Sequence, residues 1–313
     1  MKKETLLKKV PVVCLIAGIC SFLWGSAFPC IKIGYNLFGI EQTDTSSQIL
    51  FAGIRFFIAG FLSVLIGCIT KKKLLIPEKT DLKPICVLSL FQTILQYLFF
   101  YIGLANTTGV KSSIIIGANV FVAIFIAAFV FKSEKITAKK IIGSTIGFCG
   151  IILINHSGFT QGTMKFTGEG FIFLSTVAYA FSSGLMKNYS KRHDTVLLSG
   201  YQFVFGGIVM MAAGLLMGGR INTFEAKPIL MLIYLSFVSA VAYILWSTLL
   251  KYNDISNVAI FGFMNPMFGF ILSVILLNEK NEASGLLNIL AIILVCIGIF
   301  VVNYSKNKNK TVA

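Results

Sequence analysis

Residues 243–279 read YILWSTLLKYNDISNVAIFGFMNPMFGFILSVILLNE, and residues 97–134 read YLFFYIGLANTTGVKSSIIIGANVFVAIFIAAFVFKSE. The earlier stretch is a worn copy of the later one. A slide of 146 positions sets Tyr97 on Tyr243 and Asn119 on Asn265, and a slide of 145 sets Glu134 on Glu279. Each copy is two apolar runs joined by a short polar turn. In the later copy Asn265-Pro266 falls in the middle of a run, where a buried amide and a missing backbone donor need a specific reason.

A chain of 313 residues that is 56% hydrophobic and 12% charged, with a mean hydropathy of +0.85, carries more apolar surface than one soluble core can hide. It reads as an integral membrane protein. Apolar runs of about 20 residues span a bilayer, and such runs cover Val10 to Leu37, Ile49 to Thr70, Pro84 to Ala105, Ser112 to Phe131, Lys140 to Asn155, Gly168 to Tyr189, Val196 to Gly218, Pro228 to Leu250, Asn257 to Leu277 and Ser284 to Asn303. The expected fold is therefore all-α, with ten transmembrane helices and no soluble domain. Lysines precede the first run as in a signal peptide, but the run outlasts an h-region of about 7 to 15 residues and no small-residue cleavage site follows, so it is expected to stay as the first span.

The net charge of +15 is not a nucleic-acid footprint, because the lysines sit in short loops between apolar runs rather than on one face. The lipid bilayer is the partner they imply. With the N-terminus inside, 20 of the 27 lysines and arginines fall in inner segments; Lys32, Lys111, Lys165, Arg220, Lys227 and Lys280 fall outside, and Arg55 lies within a span. This bias puts both termini in the cytoplasm.

The duplication reaches the whole chain. A slide of 155 lays Lys32 on Lys187 and Trp24 on Tyr179; 147 lays Phe56 on Phe203 and Gly60 on Gly207; 148 lays Gly150 on Gly298 and Asn155 on Asn303. The slide changes mainly at loops, as it should for two copies of one unit. The domains expected are a first repeat over residues 10–155 and a second over residues 168–304. Five spans per copy is an odd number, so the second copy enters the bilayer from the opposite side. Inverted repeats of this kind place a binding site near the midplane between the halves, which by fold-level analogy points to transport.

Two prolines, Pro29 and Pro266, lie inside spans. Each frees the carbonyl four residues earlier, at Gly25 and Gly262, and reads either as a bend that opens backbone oxygen to a cavity or as a plain kink. Trp24 lies too deep for the interfacial belt, so it and its repeat partner Tyr179 either pack or line a cavity. Gln92, Gln96 and Tyr97 share one helix face, where they serve a solute or a helix-to-helix hydrogen bond. Asn119, Gln202, Tyr243, Trp246 and Asn265 complete a set able to orient a polar or aromatic small molecule. Arg55 is a gate, an anion contact, or a side chain that snorkels to the outer surface. Glu169 is a proton carrier or a helix-start acid.

Catalytic and metal motifs are absent: there is no paired acid, H-E-x-x-H, phosphate loop or G-x-S-x-G, and the seven cysteines are scattered through apolar runs without metal spacing. No cofactor, metal or enzyme activity is expected.

Trp24-Gly25-Ser26 with Lys32 in the first span, Arg55 in the second, and Pro266 followed thirteen residues later by Glu279 resemble the drug/metabolite transporter superfamily, in particular its EamA-type ten-helix members. The likeness covers essentially the whole chain. It departs at Val120-Phe121, which stand where the second copy has its proline, so a proline-dependent opening should be asymmetric. The resemblance implies secondary transport of an amino acid, other metabolite or drug across the bacterial plasma membrane, usually outward, by alternating access. It also implies that Glu134 and Glu279 mark helix ends rather than touch substrate. Two other readings remain: a membrane enzyme acting on lipid-linked substrates, and a membrane protein that does not transport. The sequence does not name the solute, the coupling ion, the direction or the choice between monomer and homodimer.

Overall fold

The computed structural model describes residues 2–41, 43–107, 112, 115–154, 165–223, 225–276 and 286–304. Among the described residues the chain is helical, without strands. After a short turn of helix at Lys2–Leu6 come α1 (Val10–Phe38), α2 (Thr45–Lys71) and α3 (Lys79–Leu104). The helix α4 is Ile115–Val130, α5 is Ala138–Ile154 and α6 is Phe171–Tyr189. Then come α7 (Thr195–Leu216), α8 (Ala226–Tyr252), a broken α9 made of Ile255–Ala259, a 3₁₀ stretch at Ile260–Phe263 and Met264–Leu276, and α10 (Leu286–Asn303). Five of these, α1, α2, α3, α7 and α8, are long and apolar enough to cross a bilayer, and α4 and residues 289–303 are shorter apolar helices. The protein is a multi-pass membrane protein.

The helices are started by their own sequence. Asp44 caps α2 by accepting from the Ser47 amide at 3.0 Å, and Asp194 caps α7 by accepting from the Val196 and Leu197 amides at 3.0 and 3.1 Å. Helix α3 contains a π-helical stretch at Ser89–Leu95 that rotates the face carrying Gln92 relative to the one carrying Gln96.

Lipid tails offer no hydrophobic drive between helices, so close association rests on small residues that let backbones touch. Gly53, Gly60 and Gly67 repeat every seven residues on α2, and Gly200, Gly207 and Gly214 do the same on α7. The two helices run antiparallel. A methyl group added at Gly60 would lie 2.6 Å from the Val204 amide nitrogen and 2.7 Å from the Gly200 carbonyl; one at Gly207 would lie 2.5 Å from the Phe57 nitrogen, and one at Gly214 2.6 Å from the Leu50 nitrogen. A second antiparallel pair joins α5 and α10, where a methyl at Gly298 would meet the Gly143 carbonyl at 2.6 Å and the Gly147 nitrogen at 2.7 Å. Helix α1 packs on α8 and α9, while α6 packs on α3 and α4. Each of these two helices therefore leans on spans from the other copy.

At the lysine-rich end one carboxylate ties four segments together. Glu134, 3% exposed at its side chain, follows α4, accepts from the Ile255 and Ser256 amides and the Ser256 hydroxyl at the start of α9, and pairs with Lys140 of α5 at 2.8 Å and Lys187 of α6 at 3.6 Å. Burial pushes its pKa up, but the Lys140 and Ser256 hydrogen bonds and the two lysine charges outweigh that and hold it below the ordinary glutamate range. Glu279, its match in the second copy, lies outside the described residues, as do Asn155 and His156. His193 Nδ1 lies 2.6 Å from Asp81 Oδ1, and Asp81 also accepts from the Glu78 amide at 2.9 Å, so this histidine belongs to the same tied-down end.

Two expectations follow. Gly60→Ala or Gly207→Ala forces backbones apart and should lower stability by about 1–3 kcal/mol, whereas Gly262→Ala, where a methyl would meet no atom within 4 Å, should be neutral; thermal melts of the purified variants read the difference. Glu134→Gln should melt below the parent at neutral pH. Because the folded-state pKa is depressed, the glutamate's contribution is complete above its ordinary pKa and is lost as pH falls through the lowered one. The gap between the two melting curves should accordingly close in acid.

Candidate functional site

Near the middle of the bundle, residues that match each other between the copies meet face to face. Tyr97 Oη and Tyr243 Oη are hydrogen bonded at 2.9 Å, and the Phe56 and Phe203 rings stack at 5.2 Å with planes 21° apart. Trp24 stands edge-on to Tyr243 at 5.2 Å and to Trp246 at 5.0 Å. Tyr97 lies 4.3 Å from Phe56, and Tyr243 lies 4.8 Å from Phe203. Tyr179 packs on the same group and lies within electrostatic reach of Tyr97. Four helices, α1, α3, α6 and α8, thus deliver Trp24, Tyr97, Tyr179, Tyr243 and Trp246 to one aromatic cluster.

Tyr243 and Trp246 are buried at 2% and 3% exposure. Trp24, Tyr97 and Tyr179 are only partly buried.

Several amide side chains in the bundle have unused hydrogen-bonding capacity. The buried Gln92 Oε1, Gln96 Oε1, Asn119 Oδ1 and Asn265 Oδ1 have no partner among the described residues. Gln96 reaches the Tyr243 hydroxyl through its amide. A buried polar atom without a partner costs about 1–3 kcal/mol, and a buried amide oxygen of this kind suits a polar ligand or water. Gln202 differs. It is fully buried, its Oε1 accepts from Thr93 Oγ1 at 2.6 Å, its backbone carbonyl accepts from Ser89 Oγ at 2.9 Å, and only its Nε2 is without a partner. These bonds join α7 to the π-helical stretch of α3.

The two prolines behave differently. Pro29 sits in a continuous α1, and Gly25, whose carbonyl it frees, is pressed against the Phe268 and Gly269 backbone. Pro266 follows a 3₁₀ stretch at Ile260–Phe263, and the space beside Gly262 is open. Ser21 Oγ of α1 donates to the Phe261 carbonyl there at 3.2 Å. Helix α4 breaks at the matching depth without a proline: i→i+3 bonds from the Ala118 amide to Ile115 and from the Phe121 amide to Ala118, at 3.0 Å each, mark a tightened turn at Asn119. The sequence pointed to a break in the second copy alone. The turn in the first copy has no residue-level signal beyond Gly117-Ala118-Asn119 itself.

Arg55 does not snorkel. It begins the eleventh position of α2, about 15 Å along the helix, and is 4% exposed. Its Nε donates to the Leu235 carbonyl and to Ser239 Oγ at 3.2 Å each, its Nη2 donates to Ser239 Oγ at 2.9 Å, and its guanidinium lies 5.4 Å from the Phe56 ring. Glu169 is buried at 5% but sits at the other edge, where Oε1 accepts from Thr107 Oγ1 and Oε2 from the Lys165 amide at 2.8 Å each. It also borders an open groove of about 380 Å³ lined by Ile115, Lys165, Phe166, Gly170 and Phe173, apart from the aromatic cluster.

The model of the EamA-like transporter family matches this chain twice, over residues 12–156 and 166–304. An uncharacterized transporter of Archaeoglobus fulgidus is 27% identical over 277 residues, covering 86% of this chain and 90% of the relative. A protein of Escherichia coli K12 named a probable amino-acid metabolite efflux pump is 24% identical over 301 residues, covering 92% and 93%. One solved crystal structure superimposes with a TM-score of 0.76 at 13% identity, over 94% of this chain and 96% of the other, which shows a shared fold. With the family model covering nearly the whole length in two parts, the chain belongs to the EamA-like transporter family of the drug/metabolite transporter superfamily.

Proposed function

We propose that this transporter moves a small organic metabolite across the bacterial plasma membrane as a secondary transporter or facilitator, by alternating access around the aromatic cluster. The observation that carries the reading is the Tyr97–Tyr243 hydrogen bond between matching residues, in a bundle whose described residues also leave the buried amide oxygens of Gln92, Gln96, Asn119 and Asn265 without a partner. Equivalent residues of two copies touch each other only on a symmetry axis. Together with the antiparallel contacts of α2 with α7 and of α5 with α10, this supports ten spans arranged as two inverted five-helix repeats over residues 10–155 and 168–304. The lysine bias supports both termini facing the cytoplasm.

In this reading Trp24, Tyr97, Tyr179, Tyr243 and Trp246 form the walls of the binding space, and Gln92, Gln96, Asn119, Gln202 and Asn265 orient polar groups of the solute. Pro266 hinges α9 at the open side of Gly262, and Pro29 bends α1 against it. Parting the halves breaks the Tyr97–Tyr243 bond, and a solute hydroxyl or amide replaces it. The E. coli relative named as an efflux pump favours outward movement of an amino acid or its derivative. Glu169, bonded to Thr107 and to the Lys165 amide, is a brace in this scheme, and exchange is passive or weakly coupled.

Counterflow in proteoliposomes loaded with a panel of amino acids, nucleosides, vitamins and other metabolites tests the proposal. At least one solute should show saturable, trans-stimulated uptake, and Tyr97→Ala or Asn265→Ala should reduce it about tenfold or more while the variant still melts cooperatively. A flat response across the panel, or uptake indifferent to both changes, sinks the reading. Glu169→Gln should leave uptake near the parent's rate; its collapse in a folded variant would show proton coupling through that carboxylate instead.

A further inference from the structure

Arg55 presents a cation deep in the bundle with no anion to match it. Among the described residues no carboxylate pairs with it, and its partners, the Leu235 carbonyl and Ser239 Oγ, are neutral. Those bonds use Nε and Nη2, whereas a guanidinium has five N–H donors in a fixed fork. Nη1 makes none. Tyr35, Tyr97, Tyr101 and Tyr243 all lie within electrostatic reach of the charge. The buried Tyr35 Oη stands beside the Tyr101 hydroxyl without a partner in hydrogen-bond geometry. A cation 4% exposed in such surroundings costs several kcal/mol unless a counter-charge joins it, and the planar fork fits a carboxylate through two parallel bonds.

We propose that the transported solute carries a carboxylate and that Arg55 receives it, with Tyr35 Oη donating to the same group. This rests on the transport reading above and narrows its substrate class. The carboxylate would sit on the Nη edge of Arg55, and the rest of the solute would extend toward Trp24, Tyr97 and Tyr243. Because Ser239 precedes Tyr243 by one turn of α8, the clasp that holds Arg55 and the ring that meets the solute body move as one unit. The competing account is a purely structural clasp, in which Arg55 only fastens α2 to α8.

The full-length protein in detergent supplies a direct reading, because its two tryptophans, Trp24 and Trp246, both belong to the cluster and their emission reports binding there. The probes are monocarboxylates (amino acids, 2-oxo acids and aryl acids), each paired with its own carboxamide, together with a phosphate monoester. The expected result is that carboxylates change the emission and raise the melting temperature and that each matched amide binds at least about tenfold more weakly. Arg55→Lys should lose about tenfold in affinity for the acid while melting like the parent. Tyr35→Phe should weaken the acid but not the amide. Equal binding of acid and amide in the parent overturns the assignment without needing any variant, as does a phosphate monoester that outcompetes every carboxylate. If neutral solutes show counterflow that Arg55→Lys leaves unchanged, the carboxylate assignment fails and the transport reading stands. If carboxylates bind through Arg55 yet no solute shows counterflow, the anion site stands and the transport reading fails.

Discussion

Helices α2 and α7 approach until only hydrogen atoms separate their backbones, and the position of nearly every other element follows from that contact. Glycine is required because a methyl group would fall 2.5–2.7 Å from opposing backbone atoms at Gly53, Gly60, Gly207 and Gly214. Seven-residue spacing keeps those glycines on one stripe, with little drift over three repeats. Phe56 and Phe203 flank the stripe and stack on each other, which carries the aromatic cluster to the same axis. Tyr97 and Tyr243 then arrive from α3 and α8 at hydrogen-bonding distance. A rigid seam of backbone contact thereby supports a centre where one hydroxyl-to-hydroxyl bond joins α3 to α8 amid packed rings.

The two copies have diverged in how they bend. Helix α9 uses a proline and a 3₁₀ stretch beside open space at Gly262, while α4 tightens at Ala118 with ordinary residues. Both breaks place an asparagine at the start of the following regular turn, and both asparagine oxygens are left unpartnered. What the two stretches share is a buried, unpartnered amide at the break; the means of bending differ. The ends are also unequal in kind. At the lysine-rich end Glu134 draws together α4, α5, α6 and α9 through charged and neutral donors, so parting the helices there means exposing two lysines and a carboxylate to each other's absence.

Much of this arrangement is legible in the sequence, and the reasons for the rest are physical. Hydropathy reveals the spans because a bilayer demands apolar length, and the Tyr97/Tyr243 and Phe56/Phe203 matches survive because both members of each pair touch. Gly60 and Gly207 stand out in the slide, yet the full stripes at Gly53, Gly67, Gly200 and Gly214 are visible only once heptad spacing is tested against an antiparallel partner. Gln202 resembles the other mid-span amides in type and depth; its bond to Thr93 depends on the π-helical stretch at Ser89–Leu95, which no residue pattern announces. For Arg55, distance along the span suggested escape to the surface, whereas the neighbouring Leu235 and Ser239 on α8 hold it inward. Contacts between distant spans decide such cases, and composition along one span does not report them.

The exchange of α1 onto α8 and α9, and of α6 onto α3 and α4, bears on how the polypeptide matures. During synthesis α1 emerges long before its lasting neighbours, and its serine and cysteine hydroxyl and thiol groups, bonded in the end to Tyr234, Phe261 and Ala242, must wait in lipid for more than two hundred residues to follow. Neither of the two regions that the family model matches makes all its helix contacts within itself, because each lends a helix to the other. The ancestral duplication thus survives as an interlock: a severed amino-terminal segment would leave the inserted chain without the surfaces that α1 was shaped to meet.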